Sequence, residues 1–241
     1  MTAGAMALSQ PPRGLLLDMD GTLLDTEWLW FHAEQAAVAR FGGALPLAAN
    51  EALVGLDTDT LVARLISDYG ARTDAATLRA AIEAELPTAL AQAQAYPGAA
   101  ELVGAAVAHG VRCAVVSNSP RDIVRDSLAP HAWAAKLTLR VSADDVARPK
   151  PHPDAYQLAL ERLGLEPAAC VAIEDSPTGA RAAIAAGITC LAVAHDAGQA
   201  TALQALTPHV VTSLSAARRW LGLPDEPTPG RLPSHTRGCV G

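Results

Sequence analysis

The chain has 241 residues, 50% of them hydrophobic and 18% charged, which excludes a disordered protein and fits one domain carrying an insertion. Its net charge of -7 and the lack of any Lys/Arg run argue against a nucleic acid or a membrane surface as partner. Cys113, Cys170, Cys190 and Cys239 form no C-x-x-C pair, so neither a disulfide framework nor a zinc centre is expected.

Along the chain, the opening MTAGAMALSQPP has no basic segment ahead of an apolar one, and no run of about 18 apolar residues follows. A cytoplasmic protein is therefore expected. Residues 1–12 and 223–241, rich in Pro, Gly and polar side chains, are expected to be disordered tails. The first strand is predicted in GLLLDM at 14–19. From Glu27 to about Ala95 there is no strand candidate, only helical pattern. Trp30, Ala33, Ala37 and Phe41 make one stripe of its first helix, a second helix is predicted near 60–69, and an Ala-rich one starts at Asp74 and is broken or kinked at Pro87. AYPGAAEL at 95–102 returns the chain to the main domain. Five further runs then alternate with helical segments: VRCAVVSN, KLTLRVS, ACVAIED, ITCLAVA and HVVTSL. This alternation predicts a mostly parallel α/β sheet, with Gly110, Gly164 and Gly187 closing helices ahead of strands.

In such a sheet all strand C-termini face one edge, where ligands bind at the point of strand-order reversal. Asp18 and Asp20 close the first strand, and Ser117, Asn118 and Ser119 the second. Arg148 and Lys150 precede a helix, and Glu174 and Asp175 end ACVAIED. Four carboxylates gathered there repel: two unit charges 4 Å apart cost about 4 kcal/mol at an effective dielectric of 20. They need a cation, and hard oxygen donors suit Mg²⁺. Lys150 adds fixed positive charge, the hydroxyls of Thr22 and Ser117 with nearby N–H groups suit anionic oxygens, and Asn118 stands beside them. Together these types point to phosphoryl transfer through a carboxylate nucleophile. Lys150 is one of two lysines, with Lys136, in a chain of 18 Lys and Arg residues, so a lysine at this place is a specific choice. Arg121 and Arg148 are further sources of positive potential, while His152 reads as a loop residue. Glu174 and Asp175 also serve as a helix cap before Pro177.

DMDGT, the Ser117 segment, RPKPHPDAY and IEDSPTGARAAIAAG, in this order over about residues 14–222, resemble the haloacid dehalogenase (HAD) superfamily, in its β-phosphoglucomutase-like, sugar-phosphate phosphatase branch. The resemblance implies a Rossmann-like, doubly wound parallel α/β core at 13–26 plus 95–222, with an inserted α-helical cap domain at 27–94. It implies that Asp18 attacks phosphorus to form an aspartyl phosphate and that Asp20 acts as general acid, then general base. Asp18, the Asp20 carbonyl and Asp175 would hold Mg²⁺, Glu174 would support it from a second layer, and Ser117 and Lys150 would bind phosphate. Trp28, as a substrate-facing wall, and Gly55, in a specificity loop at 54–58, are candidate substrate contacts in the cap.

Asp20 and Asp175 argue against a dehalogenase, which needs neither metal nor the second acid. The absence of lysine from 27–95 argues against a phosphonate hydrolase. A phosphosugar mutase is the principal alternative, but Trp30 stands where its pattern has histidine and Pro120 where it has lysine, and its cap arginine near Thr58 is missing. The expected protein is thus a Mg²⁺-dependent phosphatase of a small phosphorylated metabolite, a sugar or polyol phosphate, working as a monomer without nucleic acid or membrane. A catalytically idle binding protein is the remaining reading.

Overall fold

The computed structural model describes Leu8 and residues 10–53, 56, 58–90 and 93–224. In chain order it contains β1 (Gly14–Leu17), β2 (Leu24–Asp25), α1 (Glu27–Arg40), α2 (Asn50–Leu53), α3 (Thr58–Ser67), α4 (Ala75–Leu90) and β3 (Gln94–Ala95). There follow α5 (Ala99–Ala108), β4 (Arg112–Val116), α6 (Arg121–Leu128), β5 (Leu139–Val141), α7 (Asp154–Leu163) and β6 (Cys170–Glu174). The chain continues through α8 (Pro177–Ala185), β7 (Thr189–Val193), α9 (Ala197–Gln204), β8 (Val210–Val211) and α10 (Leu214–Trp220).

Six strands pair in the order β5-β4-β1-β6-β7-β8, every neighbouring pair parallel. All six apolar runs form these strands. They read as continuous apolar stretches because both faces are covered. Leu15, Leu17, Val115 and Ile173 pack on one face with α5 and α10; Leu16, Ala114, Val116 and Ala172 pack on the other with α7 and α8. This is a doubly wound α/β sheet. Order reverses at β1, which has β4 on one side and β6 on the other, so a crevice opens beyond its C-terminal end. Gly164 and Gly187 follow α7 and α8 with φ of 62° and 79°, a conformation that costs glycine little.

Residues of α1, α3 and α4 bury a cluster of their own, including Phe31, Ala37, Val38, Leu65, Leu78 and Leu86. Ile123 of α6 joins it, so this helical layer touches the sheet-bearing part beside the crevice. Three features differ from expectation. β2 and β3 form an antiparallel pair, Leu24 opposite Ala95, at the two crossings into the insertion. Two-residue strands carry no period to detect. The helix does not break at Pro87 but runs on to Leu90, because a proline near a helix end removes a bond from little remaining helix. The tails are also shorter than expected: the Leu8 N–H donates to Trp220 O at 2.7 Å, and Leu223 is buried. Most of the second tail, 225–241, lies outside the described residues. Among the described residues no helix is long and apolar enough to cross a membrane.

Candidate active site

Three strand ends supply the polar groups. The Asp18 N–H donates to Ile173 O and the Ser117 N–H to Val141 O, each at 3.0 Å, extending the parallel ladders one residue beyond β1 and β4. Their side chains therefore leave the sheet at its edge. Glu174 is the last residue of β6, and Asp175 follows it. Lys150 comes from the turn before α7. Asn118 clamps that turn, its Oδ1 accepting from the Lys150 N–H at 2.9 Å and its Nδ2 donating to Lys150 O at 3.0 Å.

Lys150 is the centre of the group. Its Nζ donates to Asp18 Oδ1 at 2.6 Å, Glu174 Oε1 at 2.6 Å and Val116 O at 2.8 Å, using all three ammonium protons. The residue is 4% exposed. Burial by itself would lower its pKa, but the Asp18 and Glu174 charges outweigh burial and hold the ammonium above its ordinary value. Tyr156, one turn into α7, donates its hydroxyl to Glu174 Oε1 at 2.6 Å, and burial pushes its own pKa well up. Burial, with the charges of Glu174 and Asp20, also pushes the Asp18 carboxyl up to about 7 against the opposing pull of Lys150. Asp18 Oδ2 makes no hydrogen bond among the described residues. One oxygen is pinned and the other is open.

Asp20 is held differently. Its Oδ1 accepts from Thr26 Oγ1 at 2.8 Å and from Trp30 Nε1 at 3.2 Å, both at the start of α1. Its Oδ2 accepts from Ser119 Oγ at 2.7 Å and Ser117 Oγ at 3.2 Å. Asp20 thus ties the inserted helices to the strand-end loop. Asp175 Oδ1 accepts from Thr22 Oγ1 at 2.9 Å, and its backbone carbonyl accepts from Gln199 at 2.8 Å. His195, stacked on Tyr96 at 4.2 Å, contacts Gly21 O through Nε2 at 2.7 Å and steadies the same loop.

Two glycines make room for the acids. Gly21 has φ +77°, and a Cβ there would overlap Asp175 Oδ2. A Cβ on Gly179, in the first turn of α8, would overlap the Glu174 carboxylate. Alanine in place of glycine ordinarily stabilises a helix by about 1 kcal/mol. Gly179→Ala is expected to do the reverse, lowering stability by about 1–3 kcal/mol through overpacking. Denaturant unfolding of the variant measures this, and a stability equal to or above the parent's contradicts the crowding.

One carboxylate oxygen each from Asp18, Glu174 and Asp175 lie within 4.8 Å of one another. With Asp20 beside them, one buried ammonium faces four acids, so this all-oxygen donor set fits a hard divalent cation. Glu174 receives Lys150, Tyr156 and, at 3.4 Å, Ser176, so hydrogen-bond donors from three residues converge on its carboxylate.

Several sequence expectations need correction. Trp28 is 47% exposed and packs on Phe31 and His32, with no hydrogen bond to the four acids. It lies two residues from Trp30, about 200° around the helix. Trp30, read as a core residue, is the one whose indole reaches Asp20. Asn118 gives Oδ1 and one of its two amide protons to the Lys150 backbone, and the Thr22 hydroxyl donates to Asp175. Arg121 and Arg148 pair with Asp145 and Asp154. The cap of α8 is Ser176, whose Oγ accepts from the Gly179 N–H at 3.0 Å, and not the acidic pair. Gly55 lies outside the described residues. Thr26 and Tyr156 were not singled out, and Ser119 was placed at the strand end without a role of its own. Thr26 and Trp30 share an i, i+4 face, and Ser119 follows Ser117 by two, which are signals the sequence does carry.

Known proteins resemble this chain in sequence and in fold. The family model of haloacid dehalogenase-like hydrolases matches residues 15–193. A phosphoglycolate phosphatase of Rhodospirillum rubrum is 31% identical over 223 residues, covering 88% of this chain and 92% of its own. The validoxylamine A 7'-phosphate phosphatase of Streptomyces hygroscopicus is 32% identical over 76% of this chain and 86% of its own. CbbY from Rhodobacter sphaeroides, solved in complex with xylulose-(1,5)bisphosphate, superposes with a TM-score of 0.71 at 26% identity, over 85% of this chain and 95% of that one.

Proposed function

The chain belongs to the haloacid dehalogenase-like hydrolases and, like its phosphatase relatives, is a phosphoric monoester hydrolase; we propose a Mg²⁺-dependent phosphatase of sugar or polyol phosphates that works through an aspartyl phosphate on Asp18. The observation that carries this reading is the one-sided pinning of Asp18. Lys150 fixes Oδ1 at 2.6 Å and keeps its charge, and Oδ2 makes no hydrogen bond among the described residues.

Oδ2 attacks phosphorus, and the bond from phosphorus to the leaving oxygen breaks as the Asp18–phosphorus bond forms. Asp20, in its protonated form, gives its proton to the leaving oxygen. As a carboxylate it then takes a proton from the water that attacks phosphorus and breaks the Asp18–phosphorus bond, releasing phosphate. Ser117 and Ser119 orient Asp20 from the sheet side, and Thr26 and Trp30 orient it from the helical insertion. Asp18 and Asp175 would hold the Mg²⁺ with Glu174 behind them, and the ion supplies charge stabilisation to the phosphoryl oxygens when bound. Residues 27–94 act in this reading as a cap over a core at 13–26 and 95–222, excluding bulk water while the phosphoryl group moves. The Trp30 indole is uncharged and already bonded to Asp20, so it offers no grip on a second phosphate such as a mutase needs.

Phosphate release from a panel of sugar, polyol and nucleotide monophosphates, with Mg²⁺ and with EDTA, tests the proposal. Release with Mg²⁺ and a loss of about 100-fold or more under EDTA are expected. Folded protein that releases nothing in either condition overturns it.

A further inference from the structure

One buried carboxylate of the helical insertion has no partner among the described residues. Glu34 is 6% exposed and sits in the middle of the buried face of α1, among Phe31, Ala33, Ala37 and Val38. It makes no hydrogen bond and no ion pair among the described residues. An apolar side chain would fit that stripe with less cost, since a buried charge without a partner is unfavourable. Burial alone pushes its carboxyl up to about 7. Its oxygens are nevertheless not sealed: the unpartnered polar atoms fully closed off among the described residues are Ser127 Oγ, His209 Nδ1 and Trp220 Nε1.

Its place on the helix gives it a direction. Trp30 lies one turn earlier on the same face, and its indole N–H reaches Asp20 Oδ1. Glu34 is therefore the next group along the stripe that begins over the crevice. In the phosphatase reading Asp20 meets the leaving oxygen, and Glu34 lies one helical turn beyond the Trp30 that holds Asp20.

We propose that Glu34 is a specificity-determining residue that accepts hydrogen bonds from hydroxyls of the leaving group and repels leaving groups bearing a second anionic charge. This rests on the phosphatase reading and narrows its substrate class to neutral, hydroxyl-bearing monophosphates. It separates this chain from its phosphoglycolate-cleaving relative, whose named substrate carries a carboxylate. A site built around a hydroxyl partner discriminates strongly, because its polar group is left unpaired by the wrong ligand.

The test compares wild type, Glu34→Gln and Glu34→Leu on glycerol phosphate, glucose 6-phosphate and phosphoglycolate with Mg²⁺, measuring kcat and KM separately, alongside thermal unfolding. For wild type, kcat/KM on the better hydroxylated substrate is expected to exceed that on phosphoglycolate by about 50-fold or more. Glu34→Leu is expected to reduce that ratio about 10-fold or more, chiefly through KM, with Glu34→Gln retaining more of it. Glu34→Leu is also expected to unfold at a higher temperature than wild type, which sets loss of recognition apart from loss of fold. A substrate ratio unchanged within about twofold in both variants, with wild type active, overturns the assignment alone. No release from any compound by wild type overturns the phosphatase reading and this assignment with it.

Discussion

Asp18→Asn is expected to reduce phosphate release by about four orders of magnitude or more, with no loss of stability. An amide nitrogen or oxygen at this place cannot form the acyl phosphate at a useful rate, and no second carboxylate stands in the same position. Asp20 is turned to Thr26, Trp30, Ser117 and Ser119, and Asp175 to Thr22. The fold should tolerate the change, because asparagine has the same shape and is cheaper to bury than a carboxylate that burial already pushes up to about 7. Lys150 keeps Glu174 and Val116 O as acceptors. Initial-rate phosphate release and an unfolding curve on the same preparation measure both halves. Residual activity above about one per cent of wild type would remove Asp18 from the role of nucleophile.

Lys150→Met is expected to destabilise the protein by about 3–5 kcal/mol and to abolish turnover. The methionine fills the space but leaves Asp18 and Glu174 buried side by side with no cation. Glu174 is fully enclosed and among the described residues keeps Tyr156 and Ser176 as side-chain donors, and Val116 O loses its side-chain donor. Breaking one side of a buried ion pair costs more than the pair was worth, because the remaining charge has no water to turn to. The double variant Lys150→Met/Glu174→Gln should recover part of the stability and none of the activity. Denaturant titration of the parent, the single and the double variants separates these expectations. A single variant within about 1 kcal/mol of the parent would show that Lys150 does not hold the two acids.

Much of this molecule was legible before folding was considered. The six apolar runs became the six strands of the parallel sheet, and Asp18, Ser117 and Glu174 came out at strand ends. An apolar stretch flanked by helical pattern is a local signal, and in a parallel sheet one strand's polar terminus lies beside the next. β2 and β3 were not legible, since two residues hold no period. Pro87 does not end α4, because little helix follows it to be lost.

The residue types and their order along the chain determined the sheet, the edge that carries the acids, and the lysine that sits among them. Only the tertiary structure decided which donor serves which acid. Thr22 and Asp175 are 153 positions apart, and Ser117 and Asp20 are 97 apart. Whether a hydroxyl meets a carboxylate or a substrate oxygen turns on a fraction of an ångström, which no periodicity encodes. The same holds within α1. Trp28 and Trp30 differ by two positions, yet helix rotation sends one to the surface and the other to Asp20. Glu34 was hidden in an apolar stripe because its meaning lies in the partner it lacks, and a missing partner exists only once every neighbour has been placed.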